Sequence, residues 1–211
     1  EVSLLGGCCG LAKPEDKLGP RCPRSCRGLP GWEVNPANVN LVVMDTPLWH
    51  ESGLGPEVAF ELTYNSLDSH DAGGGIQPVG NKWVLNYASY ATDNPGGDVT
   101  IVMPDGRRDQ YRPNGVGGYL PALELAGMDL RKTADHTFEL ALPDGSVYLY
   151  GVQVATNSLL LEIRDPHGNA VRVDHDANGS ITNVADALGR NFAVAFAGGH
   201  VTNISDPFGR N

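Results

Sequence analysis

The chain has 211 residues, 41% of them apolar, which is enough for a packed core in one large or two small domains. Its 25 acidic and 15 basic residues give a formal net charge of −10, which disfavours nucleic acid and anionic membrane surfaces as partners. No apolar stretch is long enough to span a bilayer, so we expect no membrane insertion. The 27 glycines and 15 prolines lie between short apolar stretches, a pattern that predicts an all-β protein.

All four cysteines lie within the first 26 residues, as Cys8, Cys9, Cys22 and Cys26. Two disulfides formed in an oxidising compartment could close such a loop, and a tetrahedral zinc site is the alternative. The adjacent pair and the three-residue gap fit poorly with the two-residue knuckles of zinc sites. We therefore predict disulfides, with the pairing left open, in a Cys/Pro-rich segment over residues 1–37.

Strand patterns begin after this segment. Residues 40–45 and 57–65 are rich in β-branched and aromatic residues, and apolar and polar side chains alternate in the second stretch. This alternation predicts that one face of the strand is buried and the other is exposed to solvent. Residues 83–91, which include Trp83, Tyr87 and Tyr90, predict a third strand. Helical composition occurs only at residues 120–130, where Gly127 weakens it, so we expect little helix.

Two Pro-Asp-Gly triplets punctuate the middle of the chain, at residues 104–106 and 143–145. Proline presets φ for a turn and glycine accepts positive φ, so each triplet predicts a β-hairpin. Together with the earlier strands, these hairpins form an N-terminal β-domain predicted over residues 38–155. The paired strands are predicted at residues 99–102 with 109–111, and at residues 138–142 with 147–150.

One pattern occurs three times in the C-terminal residues. Each unit ends in an aspartate that has a glycine three positions later, and the aspartates recur at intervals of 21 and 20 residues. A fixed period of this length is typical of stacked units that cannot bury their apolar faces alone. We predict about three repeats over residues 156–211, each a strand, a tight turn, a strand and a corner. The predicted corners contain Asp165 with Gly168, Asp186 with Gly189, and Asp206 with Gly209.

These segments resemble the start of an Rhs/YD-repeat protein. The resemblance covers about residues 38–211 and rests on Leu161-Glu-Ile-Arg-Asp-Pro-His-Gly-Asn169 and on the units 171–190 and 201–210. Two earlier segments add to it, Phe60-Glu-Leu-Thr-Tyr-Asn-Ser66 and Asp105-Gly-Arg-Arg108. The Tyr-Asp pair typical of the family is altered to His175-Asp176 in one unit and to Phe196-Ala197 in the next.

The resemblance implies a fold and a setting. The expected fold is a set of antiparallel β-hairpins that lead into a spiralling sheet, an open shell or solenoid. Because family members are secreted or cell-surface proteins, we expect the same location here. The expected function is that of a non-catalytic structural module completed by further repeats or by other copies of the chain. The alternatives are a self-assembling extracellular filament subunit and an adhesion domain that binds carbohydrate or a cell-surface partner.

Residues 174–181 match the first half of a calcium-binding loop. Asp174, Asp176 and Asn178 place oxygen ligands at alternate positions before a turn glycine. The acid expected at the twelfth position is replaced by Ala185, and Asp186 comes one residue late. The same residue types also serve a tight turn. We therefore predict a structural turn and no cofactor, with calcium as the alternative.

Three aromatic residues, Trp83, Tyr87 and Tyr90, could stack on sugar rings, although all-β cores commonly bury such side chains. The six histidines are scattered singly, and no nucleophile motif occurs in the sequence. We therefore predict that the chain is not an enzyme.

Overall fold

Turn chemistry and alternating apolar residues produce short antiparallel strands along the whole described chain. The computed structural model describes residues 28–69, 78–121 and 127–211. These residues form sixteen strands and one short 3-10 helix, Asn86–Ala88. The all-β prediction is confirmed.

The first four strands form a small sheet with the order β1-β2-β3-β4. The long strands β2 and β3 pair antiparallel, and Val43 lies opposite Tyr64. A β-bulge interrupts their register between Asp45 and Leu48. The strand bounds are Gly31–Asn35 for β1, Asn40–His50 for β2, Val58–Asn65 for β3 and Trp83–Leu85 for β4.

The other twelve strands form a second antiparallel sheet in which β12 is the branch point. Residues Asn157 to Leu159 of β12 pair with β5, and residues Glu162 to Arg164 pair with β13. The opposite edge of β12 pairs with β11, which leads on to β10 and β9. The path from β5 continues through β6, β7 and β8, and the path from β13 continues through β14, β15 and β16. The bounds are Tyr90–Asp93 for β5, Val99–Val102 for β6, Arg108–Pro113 for β7, Tyr119–Pro121 for β8, Asp129–Ala134 for β9, Thr137–Ala141 for β10, Val147–Val154 for β11, Asn157–Arg164 for β12, Ala170–His175 for β13, Ile181–Ala185 for β14, Asn191–Ala197 for β15 and His200–Ser205 for β16.

The predicted strand at residues 83–91 is broken in the structure, which is a correction. Strand β4 ends at Leu85, the 3-10 helix follows, and β5 begins in the other sheet at Tyr90. Side-chain bonds hold the break in place: the Asn86 amide nitrogen donates to the Ala59 carbonyl at 2.8 Å, and the Ala59 N–H donates to the Tyr87 hydroxyl at 3.1 Å. The chain therefore changes sheets where these side chains replace strand hydrogen bonds.

One hydrophobic core joins the two sheets. Phe60 of β3 packs edge to face against Tyr87, with ring centroids 5.2 Å apart. Phe60 also lies 6.2 Å from the ring of Phe192, which belongs to β15 in the repeat region. The buried cluster extends through Tyr111, Tyr150 and the repeat strands. The N-terminal β-domain and the predicted repeats thus bury their apolar faces against one another.

The structure confirms most predicted strands and the expectation of little helix. Residues 120–130, the one stretch of helical composition, contain the end of strand β8 and the start of strand β9, and residues 122–126 between them lie outside the described residues. The two sheets are open, and the spiral implied by the resemblance is not seen among the described strands. The predicted disulfide cysteines, Cys8, Cys9, Cys22 and Cys26, lie outside the described residues. No helix in the described part of the chain is long and apolar enough to cross a membrane.

Candidate functional site

One five-residue turn recurs in both halves of the chain. In it, the N–H of the first residue donates to the carbonyl of the fifth, and the N–H of the fourth residue donates to the carbonyl of the first. At residues 186–190 these bonds are 3.0 and 2.9 Å long. The fourth residue is always glycine, with φ between +78° and +87°, the left-handed region that side chains disfavour. The same two bonds occur at residues 94–98, 103–107, 142–146, 165–169, 176–180 and 206–210.

The predicted repeat corners are three of these turns, and each aspartate is an internal cap. One carboxylate oxygen of Asp186 accepts the N–H groups of Leu188 and Arg190, both at 2.9 Å. Its other oxygen accepts the Arg190 Nε–H at 2.6 Å, and the side chain is fully buried. Asp206 makes the corresponding bonds with Phe208 and Arg210. These aspartates therefore have a structural role in the turn.

The corner arginines also reach across to the small sheet. The Nη2 of Arg190 donates to the Ser52 carbonyl at 3.0 Å, and the Nη2 of Arg210 donates to the Trp49 carbonyl at 3.0 Å. Both carbonyls lie at the end of β2 or in the loop that joins β2 to β3. Each arginine thus bonds an aspartate in its own turn and a backbone carbonyl more than a hundred residues earlier. We call these two contacts the arginine clamps.

We expect the corner aspartates to make the free energy of unfolding depend on pH. Burial alone raises the pKa of Asp186, but hydrogen bonds from the Arg190 backbone and guanidinium outweigh burial and hold the pKa below its ordinary value of 3.8. The pKa of Asp206 is lowered for the same reasons. Because the unfolded chain then takes up protons first, we expect the free energy of unfolding to fall as the pH decreases below 3.8. Urea unfolding between pH 2 and pH 6 measures this dependence. A loss of stability that occurs only above pH 3.8 contradicts it.

Removing a buried corner carboxylate should destabilise the protein. We expect Asp186→Ala to lower the free energy of unfolding by about 1–3 kcal/mol, because two backbone N–H groups and a guanidinium lose their acceptor. The matched control is Asp135→Ala, since the Asp135 side chain is 84% exposed and its loss should change stability by less than about 0.5 kcal/mol. Chemical denaturation of both variants makes the comparison, and equal effects would contradict the capping role.

The calcium candidate is also one of the recurring turns. One carboxylate oxygen of Asp176 accepts the N–H groups of Asn178 and Ser180, both at 2.9 Å. Asp174 lies on β13, where its carboxylate accepts a bond from the Asn183 amide at 3.0 Å. No group of three or more acids, histidines or cysteines that could hold a metal occurs in the described ranges. The contacts seen here are those of the predicted structural turn, and calcium binding stays the alternative.

Two of the three candidate sugar-stacking residues are buried in the core. Tyr87 and Tyr90 are only 2% and 4% exposed, because both rings pack in the core near the change of sheet. Burial also raises the pKa of the Tyr87 hydroxyl, which accepts the N–H of Ala59. Trp83 is half-buried and packs against Tyr64 with ring centroids 5.3 Å apart. The two tyrosines therefore have no free face for a sugar ring.

A groove of about 790 Å³ lies between the two sheets. The β2–β3 loop, the edge of β3 and Asn86 line the groove on the side of the small sheet. The turn at Pro104 and the paired residues Tyr148 and Ile163 line it on the side of the twelve-stranded sheet. The lining comprises Trp49, Glu51, Ser52, Gly53, Gly55, Pro56, Glu57, Ala59, Glu61, Asn86, Tyr87, Pro104, Tyr148 and Ile163.

The edge of β3 that lines the groove is already occupied. The Asn86 side chain accepts the N–H of Glu61 at 3.1 Å and donates to the carbonyl of Ala59. Tyr87 accepts the remaining N–H, that of Ala59. A ligand in the groove therefore meets side chains at this point instead of an open strand edge.

Comparison with known proteins adds no assignment. No family model matches the chain, and no curated protein matches its sequence. The resemblance to Rhs/YD-repeat proteins therefore stays a prediction that rests on the residues quoted for it.

Sequence analysis missed both the arginine clamps and the groove. The Gly-Arg pairs at residues 189–190 and 209–210 placed a cation near Asp186 and Asp206, which was a usable signal for the two ion pairs. Nothing in the sequence indicated which distant carbonyl the guanidinium would meet. The lining of the groove comes from four strands, the 3-10 helix and two connecting segments, so no local pattern marks it.

Proposed function

We propose that the chain is a non-catalytic structural module of a secreted or cell-surface Rhs/YD-repeat protein. In this proposal its repeats belong to a β-sheet that further repeats or other copies complete, and the longer sheet forms the spiral shell of that family. The observation that carries the proposal is the recurrence of one corner geometry at 165–169, 186–190 and 206–210, with the last two corners clamped to the small sheet.

The burial of equivalent residues supports a further strand beside β16. Ile181 and Val184 of β14 are buried, at 2% and 0% exposure. Their equivalents one period later, Val201 and Ile204 of β16, are only partly buried. Strand β15 covers β14, whereas β16 is the last strand of its path among the described residues. A strand placed like β15 would bury Val201 and Ile204 and extend the sheet.

The proposal is tested by adding one repeat. A second copy of residues 192–211, joined after Asn211, should stack on β16, because repeat units gain stability from each neighbour. Hydrogen exchange at the β16 amides should slow, and the urea m-value should rise with the extra buried area. A control extension of equal length and scrambled order should change neither quantity. Unchanged exchange at β16 in the repeat-extended chain would contradict the proposal.

Size-exclusion chromatography with light scattering separates the two ways of completing the sheet. A stable monomer over the micromolar range excludes the filament alternative and favours further repeats of one polypeptide. Concentration-dependent growth, with filaments in negative-stain images, favours other copies of the chain.

A further inference from the structure

Glycine follows asparagine or aspartate at four places in the chain. In such a pair the glycine nitrogen can attack the side-chain carbonyl carbon of the residue before it, and glycine has no side chain to obstruct the attack. The reaction needs a nitrogen that solvent base can reach and whose N–H is not held by an acceptor. The four pairs are Asp105-Gly106, Asn114-Gly115, Asp144-Gly145 and Asn178-Gly179.

The recurring five-residue turn holds three of the four glycine N–H groups. Their bonds to the carbonyl of the first turn residue are 2.8 Å long for Gly106 and 3.0 Å long for Gly145 and Gly179. Removal of the proton from any of these nitrogens would also break a hydrogen bond of the turn. The turn therefore protects these three pairs from attack.

The Asn114-Gly115 pair lies in a loop that differs from this turn. The loop joins β7 to β8, and the Asn114 N–H donates to the Gly118 carbonyl at 2.9 Å as in the other turns. The second bond, from the N–H of the fourth residue, does not form with the Asn114 carbonyl. Gly115 is exposed, and its N–H donates to no acceptor among the described residues. Solvent base can therefore reach the Gly115 nitrogen.

The Asn114 side chain is held over the main chain that follows it. Its Oδ1 accepts the N–H of Val116 at 2.9 Å and the N–H of Gly118 at 3.0 Å, which makes an Asx turn. Because Gly115 lies between Asn114 and Val116, this turn keeps the Asn114 Cγ near the Gly115 nitrogen. Attack at Cγ would turn Oδ1 into an oxyanion, and backbone N–H groups already aimed at that oxygen stabilise the negative charge.

The Asn178-Gly179 pair meets the opposite conditions. Gly179 is buried, and a Cβ built on it would lie 3.0 Å from the side chains of Leu159 and Val154. Solvent base therefore has little access to its nitrogen. The Asp176 carboxylate accepts the Asn178 N–H at 2.9 Å, so a negative charge already lies close to the position where the oxyanion would form and disfavours it.

We propose that Asn114 is a site of spontaneous deamidation in the folded chain. The Gly115 nitrogen loses its proton to solvent base and forms a bond to the Asn114 Cγ. The bond from Cγ to Nδ2 breaks, and Nδ2 leaves as ammonia with a proton from water, which closes a succinimide ring. Water then opens the ring at one of its two carbonyls and leaves aspartate or isoaspartate. The proposal does not depend on the Rhs/YD assignment.

Isoaspartate at position 114 should loosen strand β8. The main chain then runs through the former side-chain carbonyl, so the loop gains a methylene group and loses the oxygen that capped Val116 and Gly118. Strand β8 is the last strand of its path among the described residues and pairs only with β7 there. Hydrogen exchange at the β8 amides should therefore be faster in the isoaspartate form than in the unmodified chain. Equal exchange in the two forms overturns this consequence.

The rates at the two asparagines, folded and unfolded, test the site. The full chain is incubated at mildly alkaline pH with and without urea, and peptide mapping that distinguishes isoaspartate from aspartate follows both positions. In the folded chain Asn114 should convert at least tenfold faster than Asn178. In urea the two rates should agree within about threefold, because only the local sequence then acts. Equal rates in the folded chain, or a rate at Asn114 more than tenfold lower when folded than in urea, overturns the proposal.

Gly118→Ala tests the two N–H groups that hold the Asn114 side chain. The φ of Gly118 lies outside the left-handed region, but an added Cβ would lie 2.9 Å from the Asn114 Nδ2 and push the side chain out of its place. The folded rate at Asn114 should fall at least threefold, with no change in urea. The matched control is Gly96→Ala, where an added Cβ meets no atom within 4 Å, and it should leave both rates unchanged. An unchanged folded rate in Gly118→Ala overturns the role of the two N–H groups.

Discussion

Phe192→Ala is expected to lower the free energy of unfolding by about 3–5 kcal/mol, the range found for removing a buried phenylalanine ring. Phe192 lies on β15 and is fully buried. Its ring lies 6.2 Å from the ring of Phe60 and 5.9 Å from the ring of His50, both in the small sheet. The substitution therefore leaves a cavity at the junction between the repeats and the N-terminal strands.

The three tryptophans provide a fluorescence probe of the small sheet alone. Trp32, Trp49 and Trp83 all lie in the small sheet, so tryptophan fluorescence follows that sheet alone, whereas far-ultraviolet circular dichroism follows both sheets. If one core joins the sheets, the two signals should show a single coincident transition. In Phe192→Ala both transitions should move together to lower urea concentration.

Phe208→Ala is the matched control. It deletes the same ring, but Phe208 is 59% exposed at a repeat corner and contacts His50 from the surface. We expect a loss below about 1 kcal/mol. A fluorescence transition that stays in place while the dichroism transition moves in Phe192→Ala would show that the repeats fold independently of the small sheet.

Local features of the sequence predicted the strands and turns well, and the reason is physical. The Pro-Asp-Gly triplets and the Asp-x-x-Gly corners specify one backbone path within five residues, and Gly145 and Gly189 both adopt the positive φ that this path needs. The alternation of apolar and polar residues that predicts β3 can likewise be read from residues adjacent in sequence. What the sequence did not reveal is that the hairpin turns and the repeat corners are the same turn.

Contacts between distant residues escaped prediction. The arginine clamps join residues 138 and 161 positions apart, and no spacing rule connects a corner arginine to a carbonyl at the end of β2. The break in the strand predicted at residues 83–91 depends on side-chain bonds from Asn86 and Tyr87 to β3. Both features depend on contacts between residues at least 27 positions apart in sequence.

The same chemistry explains why the calcium motif is ambiguous. A carboxylate followed by a polar residue and a glycine can ligate a cation or cap the N–H groups of its own turn. In the turn at residues 176–180 the Asp176 carboxylate caps, as Asp186 and Asp206 do in theirs. Shared turn chemistry, repeated along the chain, produced a motif that looks specific in isolation.

Gly55→Ala is expected to lower the free energy of unfolding by about 2–5 kcal/mol. The φ of Gly55 is +73°, a conformation that costs a residue with a Cβ about 1–2 kcal/mol. A Cβ built at this position would also lie 2.8 Å from the Cβ of Asn169 and 2.9 Å from the Cβ of Ala187. Crowding of this kind in a packed interface adds about 1–3 kcal/mol. The β2–β3 loop must then move away from the repeat corners.

Gly53→Ala separates the conformational cost of positive φ from the cost of crowding. Gly53 lies in the same loop with a φ of +76°, but no atom lies within 4 Å of an added Cβ. It should therefore show only the conformational cost of about 1–2 kcal/mol. Urea denaturation of the two variants measures the difference, which is the contribution of the close approach between loop and corners. Equal losses would mean that the loop does not pack on the repeats in solution. The arginine clamps would then not hold the β2–β3 loop in a fixed position.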